Sequence, residues 1–321
     1  MGADAPVHAA QWARAAERAG LGSLWVTEDY FHPGAFTLAG AAAAVTERIT
    51  IGLGVLNPYT RHPALLAMET AALAGAAPGR VVLGLGSGNR HWMAEQMGIV
   101  FNTPLADLRE CVSIVRRLLS AERLEFQGKR FLLQGVQLEP ASKHAVPILL
   151  GVKGPRALRL AGEVADGILC SILSSPAHVR RARETASAGR RAFVVAAYVT
   201  CLVDDDGSRA RRGVKPLLAH YLGVLHGQSI LEDVGLGPDR TQAFRDALRR
   251  GQEDALLVTD EMAETLSISG TPEQCRQQLR RWAQAGLDAP VAVVPKHADL
   301  TEQIALIGRE LAPAWKELRC R

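Results

Sequence analysis

Two adjacent carboxylates, Glu28 and Asp29, follow the apolar run that begins at Ser23. A carboxylate at the end of a buried strand can exchange a proton with a bound molecule. Side chains alternate along a strand, so only one of the two can face a given side squarely. We predict that this pair supplies the catalytic acid or base. The alternative is that the carboxylates only cap the following loop.

Glycines recur where three further apolar runs end. Because glycine has no Cβ, it lets the backbone approach a flat ligand closely. At a single strand end a glycine indicates only a tight turn, but repetition at several ends favours one broad ligand lying over them. These ends read Gly54-Val55-Leu56-Asn57, Gly86-Ser87-Gly88-Asn89 and Gly151-Val152-Lys153-Gly154.

The third of these segments also has the features of an anion site. It runs from a predicted strand into a predicted helix, with Pro155 in the first helical turn. Free backbone N–H groups and the helix dipole at such a start favour a phosphate. Lys153 and Arg156 add positive charge, and Gly154 lies between them. A plain glycine turn before a helix is the competing interpretation.

Several other functional classes lack their sequence patterns. A dinucleotide-binding fold is not indicated. The glycines at 84, 86 and 88 are spaced G-x-G-x-G, without the third glycine at the G-x-G-x-x-G position, and they do not lie in the first βα unit. No His/Cys/carboxylate set has metal-ligand spacing, and no Gly-x-Ser-x-Gly elbow occurs. With a net charge of +4 and scattered arginines, the chain shows no basic stripe or module for nucleic acid.

Short apolar runs alternate with amphipathic helices, which predicts a parallel sheet built from βα units. A single α/β barrel domain spanning 1–321 suits this length and the apolar content of 48%. A β-hairpin is predicted over 124–138, around Gln127-Gly128. An insertion over 223–268 is predicted to be loop-like in its first part and helical in parts of 240–266. It is predicted to cover a substrate pocket, with a plain surface excursion as the alternative. The predicted barrel strands are 23–29, 49–56, 80–88, 146–150, 166–173, 193–203 and 291–295.

That makes seven strands, one fewer than a closed (β/α)8 barrel contains. The sequence opens on a predicted helix, 7–19, with no apolar run before it. Either the first strand is missing from this sequence or another segment takes its place. A start site placed downstream of the true one is the explanation we favour.

The five cysteines are odd in number and none form a C-x-x-C pair, which favours a reducing compartment. No apolar run is long enough to span a bilayer, and residues 1–6 show no export signal. These observations predict a cytoplasmic protein without a membrane partner.

A family resemblance rests on several runs in order. LWVTEDYF, ITIGLGVLNPYTRHPALLAMETAAL, RVVLGLGSGN and VPILLGVKGPRALRLAGEVADGIL fall within residues 7–205, and TPEQCRQQLRRWAQAGLDAPVAVVP follows near the end. Together they resemble the luciferase-like superfamily, and within it the F420-dependent group that includes methylenetetrahydromethanopterin reductase. The resemblance implies a TIM barrel whose mouth binds F420, with FMN as the alternative.

The resemblance also implies residue roles. A non-prolyl cis peptide, here Gly54–Val55, would support the cofactor ring. Further ring contacts would come from Glu28, Asn57 and the loop Gly86–Asn89, and the phosphate would bind at Gly151–Arg156, which includes Pro155. The family's Asp-His pair reads Glu28-Asp29 here, so the usual histidine is absent and Asp29 can replace it.

Three functions follow as expectations. The first is F420-dependent hydride transfer to or from a small organic molecule. The second is FMN-dependent monooxygenation, with a separate reductase supplying reduced cofactor. The third is a flavin-binding relative without catalysis. Relatives are often dimers through helices near the second and third strands, so a homodimer is expected.

Overall fold

The computed structural model describes residues 5–139, 143–187 and 192–320. Contacts divide the chain into two compact units. The first consists of Met1–Glu17, Gly22–Val152 and Arg156–Leu169, and the second of Arg18–Leu21, Lys153–Pro155 and Cys170–Arg321. Each unit is described by itself below.

In the first unit, parallel strands alternate with helices, as the pattern of apolar runs predicts. Its strands pair in the order β1, β2, β3, β6, β7, with Ser23 opposite Thr50 and Leu83 opposite Ile148. Its elements are α1 (Ala5–Arg18), β1 (Ser23–Val26), α2 (Ala35–Ala43), β2 (Thr50–Leu56), α3 (Pro63–Ala76), β3 (Val81–Gly86), a π-helical segment (His91–Gln96), α4 (Pro104–Leu119), β4 (Leu124–Gln127), β5 (Leu132–Val136), β6 (Ile148–Gly151), α5 (Pro155–Val164) and β7 (Gly167–Cys170).

The strands β2, β3, β6 and β7 of this unit are apolar and largely buried, as expected for a parallel sheet covered on both faces. Ile51, Leu53, Leu83 and Leu85 are all within 1% of complete burial. Antiparallel β4 and β5 form a hairpin apart from this sheet, in the segment where alternating runs predict one. Glu110 of α4 fixes the hairpin turn, because its carboxylate accepts backbone N–H groups from residues 129–131.

The second unit is built around β8, which pairs in parallel with both β9 and β10. Ala196 lies opposite Ala289, and Thr200 lies opposite Ser267. Its elements are α6 (Pro176–Ser187), β8 (Val194–Val203), α7 (Gly207–Val224), α8 (Ser229–Glu232), α9 (Pro238–Arg249), a 3-10 turn (Ala255–Leu257), α10 (Asp260–Leu266), β9 (Ser267–Gly270), α11 (Pro272–Gln284), β10 (Ala289–Val293), α12 (Leu300–Glu310) and α13 (Ala312–Cys320).

The segment 223–268 differs from the sequence-based expectation. Its first part was predicted to be loop-like, but it contains α8 and α9. Together with α7 and α10 these helices bury a common apolar cluster that includes Leu222, Leu231, Phe244 and Met262. The segment is therefore a packed helical subdomain of the second unit, which we call the helical insert.

The strand count also differs. The described residues contribute eight strands to the main sheet, and the strand that the apolar pattern misses is β9. Ser267-Ile268-Ser269-Gly270 carries a single large apolar side chain, so it gives little strand signal. Its serines are satisfied locally, because Ser267 Oγ donates to Ala263 O at 2.6 Å and lies 2.9 Å from Ser269 Oγ.

No helix in the described part of the chain is both long enough and apolar enough to span a membrane.

Candidate active site

The end of β2 departs from regular strand geometry. Its register with β3 shifts between Leu53 and Leu56, and the peptide bond Gly54–Val55 is cis. The cis peptide that the family resemblance implies at this position is therefore confirmed. Gly54 is buried, whereas Val55 is half-buried.

Glycines of two neighbouring strands surround Val55. A Cβ added to Gly86 of β3 would lie 2.7 Å from Val55 Cγ2, and one added to Gly151 of β6 would lie 2.6 Å from Val55 Cγ1. A Cβ added to Gly84 would lie 2.5 Å from Leu53 O. No real Cβ tolerates such approaches. These glycines are therefore required by the bulge of β2, a reason different from the backbone–ligand approach expected from the sequence.

Asn57, predicted to contact a ligand ring, is buried and shapes the turn after β2. Its Oδ1 accepts the backbone N–H groups of Tyr59 at 2.8 Å and Thr60 at 3.0 Å. Its Nδ2 donates to Thr60 Oγ1 at 3.1 Å and to the Tyr30 hydroxyl. Since both amide atoms are engaged within the protein, Asn57 fixes the position of Tyr30.

Tyr30 is a residue of this region that the sequence-based search did not single out. Burial, followed by the negative charge of Glu28, raises the pKa of Tyr30 to about 12. Its ring packs edge-on against Trp92, with centroids 4.8 Å apart. The signal for Tyr30 was its position directly after Glu28-Asp29 at a strand end. At neutral pH the hydroxyl is protonated and can donate a hydrogen bond.

The two predicted catalytic carboxylates have different surroundings. Glu28 is nearly buried, with 11% of its side chain exposed, and it pairs with Arg61. Its second oxygen accepts the Ala35 backbone N–H at 2.7 Å, at the start of α2. Asp29 is exposed, and its side chain accepts from Thr27 Oγ1 at 3.2 Å. Glu28 is therefore held as a structural anion, and Asp29 is the carboxylate accessible to other molecules.

Arg61 is a second residue that the search missed, although it lies within the motif NPYTRHP. Its Nε is 3.2 Å from Glu69 of α3, while its Nη1 pairs with Glu28. The guanidinium carbon also lies 5.6 Å from the centroid of the Phe36 ring. Arg61 therefore ties the loop after β1 to α2 and α3.

The loop after β3 leads into the π-helical segment that begins at His91. Gly88 has φ of +68°, a conformation that favours glycine. The exposed Asn89 uses its Oδ1 to accept the Trp92 backbone N–H at 2.9 Å, which places Trp92 against Tyr30. Ser87 is half-buried, and its hydroxyl makes a long hydrogen bond of 3.4 Å to Gly88 O.

The predicted phosphate segment falls between the end of β6 and the start of α5. Within the second unit, Lys153 Nζ donates to Gln228 Oε1 at 3.0 Å. Desolvation lowers the pKa of this lysine. Pro155 and Arg156 are exposed, while Gly154 is half-buried and has open space where a Cβ would project. Gly154 is thus free of the crowding that explains Gly86 and Gly151.

Within the described parts of the chain, no group of three or more His, Cys, Asp or Glu residues is placed to hold a metal ion.

Comparisons with known proteins find a matching family and relatives that span nearly the whole chain. The family model for luciferase-like monooxygenases matches residues 2–289. A 5,10-methylenetetrahydromethanopterin reductase of Archaeoglobus fulgidus is 33% identical over 95% of each chain. An F420-dependent glucose-6-phosphate dehydrogenase of Nakamurella multipartita is 26% identical over 98% of this chain and 94% of its own.

A solved structure, the coenzyme F420-dependent tetrahydromethanopterin reductase of Methanopyrus kandleri, superposes with a TM-score of 0.87. It is 27% identical and covers 97% of this chain and 96% of its own. The predicted fold class, an α/β barrel of the luciferase-like type, is thereby confirmed. The chain belongs to the luciferase-like monooxygenase family.

Proposed function

We propose that this protein is an F420-dependent oxidoreductase that transfers a hydride between the deazaflavin ring and a small organic substrate. Relatives that match almost the whole chain include a coenzyme F420-dependent tetrahydromethanopterin reductase and an F420-dependent glucose-6-phosphate dehydrogenase. The structural observation that carries the proposal is the bulge of β2, where the half-buried Val55 lies between glycines of β3 and β6.

This arrangement fits a flat ring. Because Gly86 and Gly151 lack side chains, the Val55 isopropyl group is the apolar surface presented there. An aliphatic side chain of this kind packs well against an aromatic face. Gly54 would support the ring through its backbone, and Asn57 would act through Tyr30, while Ser87, Gly88 and Asn89 would border the ring.

When bound, F420 supplies the hydride-carrying carbon, C5 of its ring, and the protein supplies position and electrostatics. Asp29 is the residue we propose for proton exchange with the substrate, because its side chain is exposed, whereas that of Glu28 is paired with Arg61. Glu28 holds the loop through Arg61 and Ala35. Tyr30 remains a hydrogen-bond donor across the physiological pH range.

For the cofactor phosphate we propose the segment Gly151–Arg156. Lys153 contributes a partly buried ammonium, and the start of α5 at Pro155 contributes backbone N–H groups. Arg156 is exposed and adds a second positive charge close to the same helix start. Gly154 leaves room for the approach of a ligand.

Fluorescence titration with F420, with its phosphate-free deazaflavin core and with FMN tests the proposal. We expect F420 to bind at micromolar concentration or tighter and more tightly than FMN. Tight FMN binding without F420 binding would instead support the monooxygenase. If neither binds at micromolar concentration, the oxidoreductase proposal fails. Binding of F420 without absorbance change, with methylenetetrahydromethanopterin among the substrates tried, would favour a non-catalytic relative.

We further propose that the protein is cytoplasmic, acts as one catalytic domain over 1–321, and forms a homodimer. Leu65 and Met68 of α3 support the homodimer, because they lie one helical turn apart and are 49% and 50% exposed. A separate flavin or F420 reductase would supply reduced cofactor. No nucleic-acid or membrane partner is expected.

A further inference from the structure

His178, Arg181 and Asp233 form a charged cluster in the second unit that has no role in the proposal so far. His178, in the first turn of α6, is completely buried. Its Nδ1 lies 2.8 Å from Asp233 Oδ2, and Asp233 Oδ1 pairs with Arg181 Nη1 at 2.7 Å. An ionised carboxylate can only accept, so Nδ1 carries the imidazole proton. Among the described residues, Nε2 has no hydrogen-bond partner.

The segment 228–233 of the helical insert, which contains Asp233, also contacts Lys153. Gln228 accepts from Lys153 Nζ at 3.0 Å, and the carbonyl of the next residue, Ser229, accepts from Arg181 Nη2 at 3.3 Å. Asp233 completes the stretch through its contacts with His178 and Arg181. The segment 228–233 thus contacts Lys153 at its first residue and His178 at its last.

The charges of this cluster do not balance. Arg181 pairs with Asp233, but among the described residues no carboxylate forms an ion pair with Lys153, which donates to the neutral amide oxygen of Gln228. A poorly solvated charge is costly unless it is paired. When protonated, Lys153 therefore carries a positive charge that has no ionised partner among the described residues. It favours a ligand that carries a negative group.

His178 responds to the same charges. Burial has the largest effect and lowers the pKa of His178. The hydrogen bond and charge of Asp233 act in the opposite direction, and the positive charges of Arg181 and Lys153 lower the pKa further. These charged groups come from the loop after β6, from α6 and from the end of α8. An anion beside Lys153 would cancel part of the positive field at the imidazole.

We propose that Lys153 and His178 form a proton-linked anion subsite, in which His178 positions the site and takes up a proton when an anionic group pairs with Lys153. The proton comes from solvent, and the imidazolium then donates to Asp233 through Nδ1 while Nε2 also becomes a donor. The group is a phosphate or a carboxylate. It belongs either to the F420 tail, in which case the inference rests on the proposed function, or to the substrate.

The first experiment is independent of F420. Full-length protein with isotope-labelled histidine is titrated by NMR between about pH 8 and pH 5.5, with sulfate or with chloride at equal ionic strength. Sulfate is a dianion throughout this range. We expect sulfate to raise the pKa of His178, with no such change in Lys153→Met. The matched control, Lys296→Met, removes an exposed lysine and should respond like the native protein.

The second experiment identifies the source of the anion. The dissociation constants of F420 and of its phosphate-free core are measured over the same pH range. One linked proton changes affinity by at most about tenfold per pH unit. If the cofactor supplies the anion, F420 should bind at least about threefold more tightly at pH 5.5 than at pH 8. The core, which shares the ring and its ionisable hydroxyl, serves as the reference.

Variants separate the linkage from simple structural damage. His178→Asn keeps a donor near Asp233 but cannot take up a proton, so it should bind F420 with the pH dependence of the core alone. Asp233→Asn, which retains the imidazole, should lose the linkage as well. His226→Gln is the matched control, because His226 is half-buried in the same unit and bonds Thr241.

The outcomes are distinct. A sulfate effect at His178 without pH-linked F420 binding places the anion on the substrate. Failure of F420 to bind, with the sulfate effect intact, overturns the proposed function but not the subsite. The subsite is wrong if sulfate leaves the pKa of His178 unchanged, or if Lys153→Met shows the same change as the native protein.

Discussion

Val55 of β2 and Gly86 of β3 are in such close contact that the valine occupies the space of a Cβ at position 86. A methyl group there would lie 2.7 Å from Val55 Cγ2. The same side chain fills the corresponding space at Gly151 of β6. Three adjacent strands therefore share one side chain at the point where the proposed cofactor ring would rest.

Gly86→Ala is expected to lower the free energy of unfolding by about 1–3 kcal/mol, as overpacking of a buried site does. It should also weaken F420 binding, because Val55 must move. The matched control is Gly40→Ala in the interior of α2, where a Cβ meets open space and should stabilise by up to about 1 kcal/mol. Chemical denaturation and fluorescence titration measure the two effects.

The cause is tested by adding Val55→Ala to Gly86→Ala. If contact with the valine is the source of the strain, the double variant should be less destabilised than the sum of the two single changes. Strict additivity would show that Gly86 is needed for another reason.

Tyr30→Phe is expected to reduce the loss of stability at high pH. The pKa of Tyr30 is raised to about 12 in the folded protein, so the unfolded chain releases this proton first as the pH rises. Folding stability therefore falls between roughly pH 10, the unfolded pKa, and pH 12. Denaturation curves across this range should show a smaller decline in Tyr30→Phe. An identical decline would mean that Tyr30 does not titrate abnormally.

Glu28→Gln and Asp29→Asn should separate structure from catalysis. Glu28→Gln breaks the pair with Arg61 and weakens the bond to Ala35, so stability should fall by about 1–3 kcal/mol. Asp29→Asn changes an exposed side chain and should alter stability by less than about 0.5 kcal/mol. Its effect should appear in kcat once a substrate is turned over. Normal turnover by Asp29→Asn would remove Asp29 from the mechanism.

Leu65→Glu combined with Met68→Glu should convert the proposed homodimer into a monomer. Both side chains are about half exposed on α3, and burying a charge at an apolar interface is costly. Light scattering after gel filtration would show the mass fall from two chains to one. Leu256→Glu, at a side chain that is 96% exposed in the second unit, is the control and should leave the mass unchanged.

Strands with continuous apolar runs were predictable from the sequence. β2 and β3 lie inside the predicted 49–56 and 80–88, because buried parallel strands need apolar side chains on both faces. β9 was missed because its two serines satisfy each other and a nearby carbonyl, a contact that a linear pattern does not reveal. The helices α12 and α13 are separated at Leu311, and Pro313 lies in the first turn of α13, where proline is tolerated.

The candidate site was predictable where the order of residues determines it. The glycine-rich strand ends came from the order of residues, and the cis peptide at Gly54–Val55 came from the family resemblance. The pairing of Glu28 with Arg61, 33 positions apart, depends on folding and could not be read from spacing. His178 gave no signal, because a single histidine at a helix start is ordinary, and its partner Asp233 lies 55 positions away in the helical insert.

The helical insert buries its apolar side chains largely among α7, α8, α9 and α10, together with Leu202 of β8. Substitutions on its exposed positions can accumulate without loosening that shared interior, as they can on any amphipathic surface. Evolution can therefore alter the chemistry displayed on this surface while the packing beneath it stays unchanged.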